Sequence, residues 1–342
     1  MIIYLFLISI PTIFYFVAPN KNTTQKILLF FTGFIYIFFI GFRHEVGMDW
    51  FNYILIYDYI SDGTIKHGIN RTEPAYALLN WLSAQMSFDI YGSNFIIAII
   101  FVSGLINLAG KMPNPWVALI SVTPYLVIAI GMSGVRQSAA IGFVFHLIAG
   151  WKKNSFIKNI ILAVVATLFH YSAFVALFFV IQNITMPKII RWGVLIVGSV
   201  ISFIIFSKTD HYTYYEQSYI TANLISPGAL QHLSLNAIPS IIYLLFIKKW
   251  NKLYGKNNVL IILSYLSLLS ILALAVSSTG VDRLALYLSP IQMLVYSSIP
   301  VVFKNKLYSM IIIVIHFLIL YIWLTYSNSS IAFLPYKNIL FI

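Results

Sequence analysis

The chain has 342 residues, 60% of them hydrophobic and only 9% charged. Soluble domains carry about 25% charged residues, so this balance excludes an ordinary globular fold. A formal net charge of +12 would suggest a nucleic-acid partner in a soluble protein. Here the basic residues fall in short loops between apolar runs, the pattern of cytoplasmic membrane loops, and nucleic acid is set aside. The absence of cysteine excludes disulfides, thiolate nucleophiles, thiolate-held zinc and iron–sulfur clusters.

Apolar runs near the ~20 residues needed to cross a bilayer recur along the whole length. They predict an all-α, polytopic integral membrane bundle forming one domain over 1–342, with about 11–12 membrane segments. Basic loops set the orientation. Span one covers 1–18; Lys21 and Lys26 follow it, so it reads as an uncleaved span with its N-terminus outside. Span two, 27–42, delivers Arg43 to the outer face. Residues 43–91 then form an outer loop with one short interfacial helix at 73–88. A crossing there would put Lys152, Lys153, Lys248 and Lys249 outside. Glu73-Pro74 suits the start of that helix, with proline at its first position and a carboxylate at its N-terminus.

Span three, 92–110, ends at Lys111. Span four, 116–131, climbs to an outer turn at Gly131–Gly134, and span five, 135–150, descends from Arg136. Residues 159–182 read as a re-entrant hairpin broken near Phe169-His170-Tyr171-Ser172, because one crossing would leave Lys188 and Arg191 outside. Broken helices are tolerated where they line a cavity. A span at 190–206, a second outer loop at 207–235, a short span at 236–247 and a span at 258–276 follow. The chain closes with an outer turn at Ser277–Asp282, a descending span from Arg283, and a last span at 308–326. This topology leaves most of the 21 basic residues inside and all nine acidic residues outside.

The chemistry concentrates in Arg43-His44-Glu45-Val46-Gly47-Met48-Asp49-Trp50-Phe51-Asn52-Tyr53. Of five arginines, Arg43, Arg71, Arg136 and Arg283 fall on the outer side, against the orientation rule. Guanidinium forks bind phosphate oxygens bidentately, so Arg43, Arg136 and Arg283 suit a diphosphate. Snorkelling, or pairing with Glu45, Asp49 or Asp282, is the structural alternative. Asp49 is a candidate base or arginine-orienting carboxylate, and equally a helix cap. His170, in an apolar helix break, is a candidate general base or a packed core histidine. Trp50 and Tyr53 could stack on sugar or belong to an interfacial aromatic belt. Glu216 lies in a Tyr-rich lip able to contact carbohydrate. No metal-ligand spacing is present, and no cofactor is expected.

These residues form a recognisable set. Arg43-x-x-x-Gly47-x-Asp49-Trp50-x-x-Tyr53 resembles the signature of EpsG-like, Wzy-type polysaccharide polymerases. Glu73-Pro74, Val135-Arg136-Gln137-Ser138-x-Ala140, Phe169-His170-Tyr171-Ser172-Ala173 and Asp282-Arg283 follow in the same order, so the resemblance covers about 43–283. It implies a GT-C-like glycosyltransferase of the bacterial inner membrane with its site facing the periplasm, and makes 43–91 and 207–235 periplasmic loops. The implied donor and acceptor are undecaprenyl-diphosphate-linked oligosaccharides destined for O-antigen, capsule or exopolysaccharide, with membrane lipid and a chain-length regulator as further partners. Arg43, Arg136 and Arg283 would hold the diphosphate, and Asp49 or His170 would deprotonate the acceptor. Glu45, Trp50, Tyr53, Glu73, Gln137, Asp282 and Glu216 would support the site or contact sugar. An O-antigen ligase-like transferase and a lipid-linked oligosaccharide flippase are the alternatives.

Overall fold

The computed structural model describes residues 1–19, 22–151, 153–182, 226 and 228–342. All regular structure among them is helical. The N-terminal part comprises α1 (Ile2–Val17), α2 (Asn22–Gly41), α3 (Trp50–Ser61), α4 (Ile65–Arg71), α5 (Pro74–Gln85), α6 (Asp89–Ala109) and α7 (Pro115–Val122). The middle holds α8 (Val135–Ala149), α9 (Phe156–Phe169) and α10 (Val175–Gln182). Then come α11 (Ala229–Leu245), α12 (Ile247–Tyr254), α13 (Asn258–Ala273), α14 (Ser278–Ala285), α15 (Pro290–Tyr296), α16 (Ile299–Val302) and α17 (Leu307–Tyr326).

Among the described residues, four helices are long and apolar enough to cross a membrane: Thr23–Gly41, Asp89–Ala109, Pro115–Ser133 and Leu307–Tyr326. Two bent pairs raise the number to six, Ala229–Leu245 with Ile247–Tyr254 at 78° and Ser278–Leu288 with Pro290–Val302 at 46°. Shorter apolar helices stand beside them, so the chain is a polytopic helical membrane protein. The tightest contact joins α6 to α8. A Cβ on Gly104 would lie 2.1 Å from the Gly142 carbonyl oxygen, so the two backbones meet only because both positions lack side chains.

α7 continues into a π-helix, Thr123–Ile130, and one further turn, Gly131–Ser133. Pro124 has no N–H to return to the preceding turn and its ring crowds that turn's carbonyl, which accounts for the wider winding. At the far side of α8, His170 adopts an extended backbone, φ −156° and ψ 122°, and ends α9 where the hairpin break is expected. A 3-10 turn, Tyr171–Phe174, leads on to α10.

Three expectations need correction. The stretch 43–91 is not a loop with one helix; it folds as α3, α4 and α5, with Tyr53 and Tyr57 of α3 and Tyr76 of α5 buried. α5 has 12 residues, about 18 Å of helix, too short to cross a core of about 30 Å. Ser277–Asp282 is not a turn: the Ser277 hydroxyl accepts from the Gly280 N–H and starts α14, which contains both Asp282 and Arg283. The loop at 207–235 is also too long at its end, because α11 begins at Ala229 behind the left-handed Gly228. The expected span at 190–206, and Glu216, lie outside the described residues.

Candidate functional site

One end of the bundle collects the polar groups. α2 ends there, α5 and α8 begin there, and α9 breaks there. Glu73, immediately before α5, is the hub. Its Oε2 accepts from Arg136 Nη1 at 2.6 Å and from the Thr72 hydroxyl at 2.9 Å. Its Oε1 accepts from His170 Nδ1 at 2.7 Å. Arg136 Nη1 also donates to Thr72 Oγ1 at 3.0 Å. Because a carboxylate only accepts, the His170 proton sits on Nδ1 and Nε2 is the basic nitrogen.

The Glu73 side chain is 2% exposed and that of His170 4%, whereas Arg136 keeps 25%. Burial alone would push the Glu73 carboxyl up. The adjacent Arg136 charge and the hydrogen bond from His170 more than offset it and hold the carboxyl below the usual carboxylate range. The Arg136 guanidinium lies 5.7 Å from the Tyr53 ring centroid and 6.0 Å from that of Tyr76. Its Nε, the Tyr76 hydroxyl and Gln137 Nε2 are buried without a hydrogen-bond partner. Unmade bonds of this kind cost about 1–3 kcal/mol each, so a cation with unused donor capacity is held beside a positioned imidazole.

Arg43 does not join this group. It is 1% exposed, donating from Nε to the Met132 carbonyl and from Nη1 to the Ile40 carbonyl, both at 2.7 Å. Its guanidinium also lies 5.6 Å from the Trp50 ring centroid. Two of the donors expected to face a diphosphate are thus taken up by backbone carbonyls, and Arg43 acts here as a structural clamp. Burial depresses its pKa to about 10, which still leaves it charged at neutral pH. The physical reason is Gly47, at φ +109°, whose missing Cβ would lie 2.3 Å from the Met132 oxygen. That close approach folds the loop down onto the turn at 131–134 and closes Arg43 inside.

The same loop is strapped by the C-terminal segment. Arg43 and Asn338 form an isolated antiparallel bridge, Gly47 N–H donates to Ala332 O at 2.8 Å, and Tyr336 OH donates to Phe39 O at 2.9 Å. Lys337 pairs with Glu45 and holds its carboxyl below the ordinary range. Trp50 is 3% exposed, packed against His44 and Tyr91, and Tyr53 is buried against Tyr76. Both rings are buried among these neighbours. Asp49, half-buried, exchanges weak hydrogen bonds with Ser133 at 3.3 and 3.5 Å and ties α3 to the turn that leads into α8.

α14 supplies the other flank. Arg283 is half-buried and lies close enough to His170 for its charge to act on the ring. Ser172 and Tyr287 share a hydrogen bond at 3.1 Å, linking the helix break to the segment after α14. Asp282 accepts from Ser226 Oγ at 2.7 Å and pairs with His232 Nδ1 at 3.2 Å, and Tyr125 of the π-helix stacks on that imidazole with centroids 4.4 Å apart. His232 and Tyr125 were not singled out from the sequence, His232 because it fell in a stretch read as loop. Among the described residues no three His, Asp or Glu side chains are arranged to hold a metal ion.

A model of the EpsG family matches residues 26–338 of the chain. No curated protein and no solved structure matches it.

Proposed function

The chain belongs to the EpsG family, a Wzy-like polymerase-type family, and from that premise we propose that this polysaccharide polymerase-type membrane protein is a glycosyltransferase acting on lipid-diphosphate-linked oligosaccharides. The donor is a growing glycan on undecaprenyl diphosphate, and the acceptor is a hydroxyl of a second lipid-linked repeat unit. The site faces the periplasm of the bacterial inner membrane. The observation that carries this reading is Glu73 bridging Arg136 and His170, which holds a cation and a base on one buried carboxylate.

The acceptor oxygen attacks the anomeric carbon, and the bond from that carbon to the diphosphate oxygen breaks. The acceptor proton passes to His170 Nε2, and the bonding pair leaves with the diphosphate. Arg136 and Arg283 stabilise the charge that develops there, without reorganisation during the reaction. Glu73 orients the imidazole and stabilises it once protonated, the role a carboxylate plays behind other catalytic histidines. Asp49 orients the loop that carries this end of the bundle, through Ser133.

The test is reconstitution of purified full-length protein with lipid-linked repeat units extracted from cells lacking the gene. Wild-type protein should build a ladder of polymer lengths, and the Arg136→Ala variant should build none at equal protein level. A normal ladder from that variant would overturn the reading. In cells, gene deletion should leave single repeat units attached. Unattached polymer would indicate a ligase instead, and loss of all surface glycan a flippase.

A further inference from the structure

The end of the bundle away from the hub carries a different surface. α11 begins at Ala229, beside the His232–Asp282 pair, and runs 17 residues, about 26 Å, before it breaks at Phe246. α17 starts at Leu307 at this same end and rises 20 residues, about 30 Å, toward the C-terminal segment that straps Arg43. At the break the chain bends by 78° into α12. A helix set at that angle to a crossing segment lies nearly parallel to the membrane surface.

α12 reads Ile247-Lys248-Lys249-Trp250-Asn251-Lys252-Leu253-Tyr254, and it divides by face. At 3.6 residues per turn, Lys248, Lys249 and Lys252 share one side, and Trp250, Leu253 and Tyr254 share another. Trp250 is 2% exposed and stands edge-on to Tyr243 and Phe303, which pins the helix to the bundle. Phe246, Leu253 and Tyr254 remain exposed beside it. Phe303 also packs against Phe246 and Tyr308, so the turn carrying Lys304 and Lys306 lies alongside α12. Lys256 follows directly, past Gly255 at φ +72°.

This rim therefore gathers Lys248, Lys249, Lys252, Lys256, Lys304 and Lys306, all exposed. The sequence holds no Asp or Glu between Glu216 and Asp282, or after Asp282. Among the described residues none of the six lysines pairs with a carboxylate. Lys252 neighbours both Lys248 and Lys249 on the helix surface, where like charges repel. The Lys249 Nζ stands 4.7 Å from the Phe303 ring centroid and 5.4 Å from that of Phe246, so an ammonium is held at the edge of the apolar surface.

Such a surface calls for anions at the level where apolar chains begin. A soluble acidic partner would leave Phe246, Leu253 and Tyr254 in water, and acyl chains alone would leave the lysines unmet. Anionic phospholipid satisfies both faces. We infer that α12 and the Lys304–Lys306 turn form an in-plane binding surface for anionic phospholipids of the leaflet opposite the hub. Headgroup phosphates lie on the lysines, and acyl chains lie against Phe246, Leu253 and Tyr254. This surface is separate from the glycosyl transfer proposed above and stands or falls without it.

The experiment titrates full-length protein in detergent with short-chain phosphatidylglycerol, short-chain phosphatidylcholine or inorganic phosphate and reads the unfolding midpoint. Phosphatidylglycerol should raise the midpoint saturably, and the other two should not. One lysine at an anionic surface is worth about a fivefold change in affinity. K248Q/K249Q/K252Q should therefore raise the half-saturating concentration at least tenfold, whereas the matching arginine triple, which keeps the charge, should stay within about twofold of wild type. Should the glutamine triple not fold, Lys252→Gln alone carries the test at about fivefold. Lys66→Gln on α4, at the hub end, should change nothing. Because the chain has no cysteine, a fluorophore can be placed at Leu253→Cys or Lys252→Cys in vesicles of two parts phosphatidylcholine to one part phosphatidylglycerol. Lipid brominated on its acyl chains should quench the first and spare the second. Equal midpoint responses to the two lipids, a response to inorganic phosphate as large as that to phosphatidylglycerol, or an unchanged half-saturating concentration in the glutamine variants would each overturn the inference. Equal quenching of both labels by aqueous iodide would do the same, leaving an acidic soluble partner as the occupant.

Discussion

Glu73 and His170 are 97 positions apart in the chain, and their side chains meet at 2.7 Å with both nearly inaccessible to solvent. A carboxylate at the start of one helix thus sets the proton position on an imidazole at the end of another. The arrangement makes the two residues one unit with Arg136, so their substitutions should not behave independently.

Replacing Glu73 by Gln removes the charge and leaves Arg136 and His170 facing a neutral amide. Breaking one partner of a buried ionic group costs about 3–5 kcal/mol. The expected result is a lower unfolding midpoint together with a fall in polymerisation of about 10²-fold or more, as an oriented base and a compensated cation are lost together. Full activity with a normal midpoint would show that the hub is dispensable.

The depressed Glu73 carboxyl also fixes a pH dependence. A group whose folded pKa lies below its unfolded value contributes stability above the unfolded value, about 4.3, and loses it as pH falls through the folded one. Its contribution should therefore be constant from pH 8 to 5 and decline only in stronger acid. Unfolding midpoints measured from pH 7 to 3 should fall more steeply for wild type than for Glu73→Gln.

Arg43→Lys tests the clamp. An ammonium cannot hold the Met132 and Ile40 carbonyls in the geometry of a planar fork. The variant should lose about 2 kcal/mol or more of stability, with hydrogen bonds to charged groups worth about 1.5–3 kcal/mol each. Its KM for the lipid-linked unit should stay near wild type in whatever fraction remains folded. A raised KM with an unchanged midpoint would return Arg43 to ligand binding.

Gly47→Ala should be severe despite adding one methyl group. The positive φ and the 2.3 Å approach to the Met132 oxygen both oppose it, at about 1–3 kcal/mol for the backbone strain alone. The turn that leads into Arg136 must move to relieve the clash. Expression level and chain length of the product report this together.

The absence of cysteine makes the orientation simple to measure. Asn70→Cys, on exposed α4, should react with an impermeant maleimide in intact cells, and Lys252→Cys should react only after lysis. The reverse pattern would invert the bundle.

Local signals were legible where local physics decides the outcome. Glu73-Pro74 announced the start of α5 because proline is pre-set for a first helical position. The apolar run around His170 announced its break because one straight crossing conflicts with the charge pattern. Arg136 and Glu73 were both named, but their bond was not, since nothing in the spacing of 63 residues reports a contact. The setting of Arg43 was illegible for the same reason: its acceptors are backbone carbonyls, which every sequence carries and none advertises. His232 was missed because α11 starts seven residues before its apolar run becomes obvious.

The C-terminal strap has a consequence for biosynthesis. Lys337 and its partner Glu45 are 292 residues apart, and Asn338 reaches Arg43 over a similar interval. At about 5–20 residues per second of translation, the first loop waits roughly 15–60 s for its last partner. Once Met132 has been made, 89 residues on, Arg43 has that partner but not yet Asn338, and the rim is only half closed. Closure of this rim therefore waits for residues 332–338 to be made, and a translational pause just before them would leave a nascent bundle inserted and anchored with its first loop unstrapped.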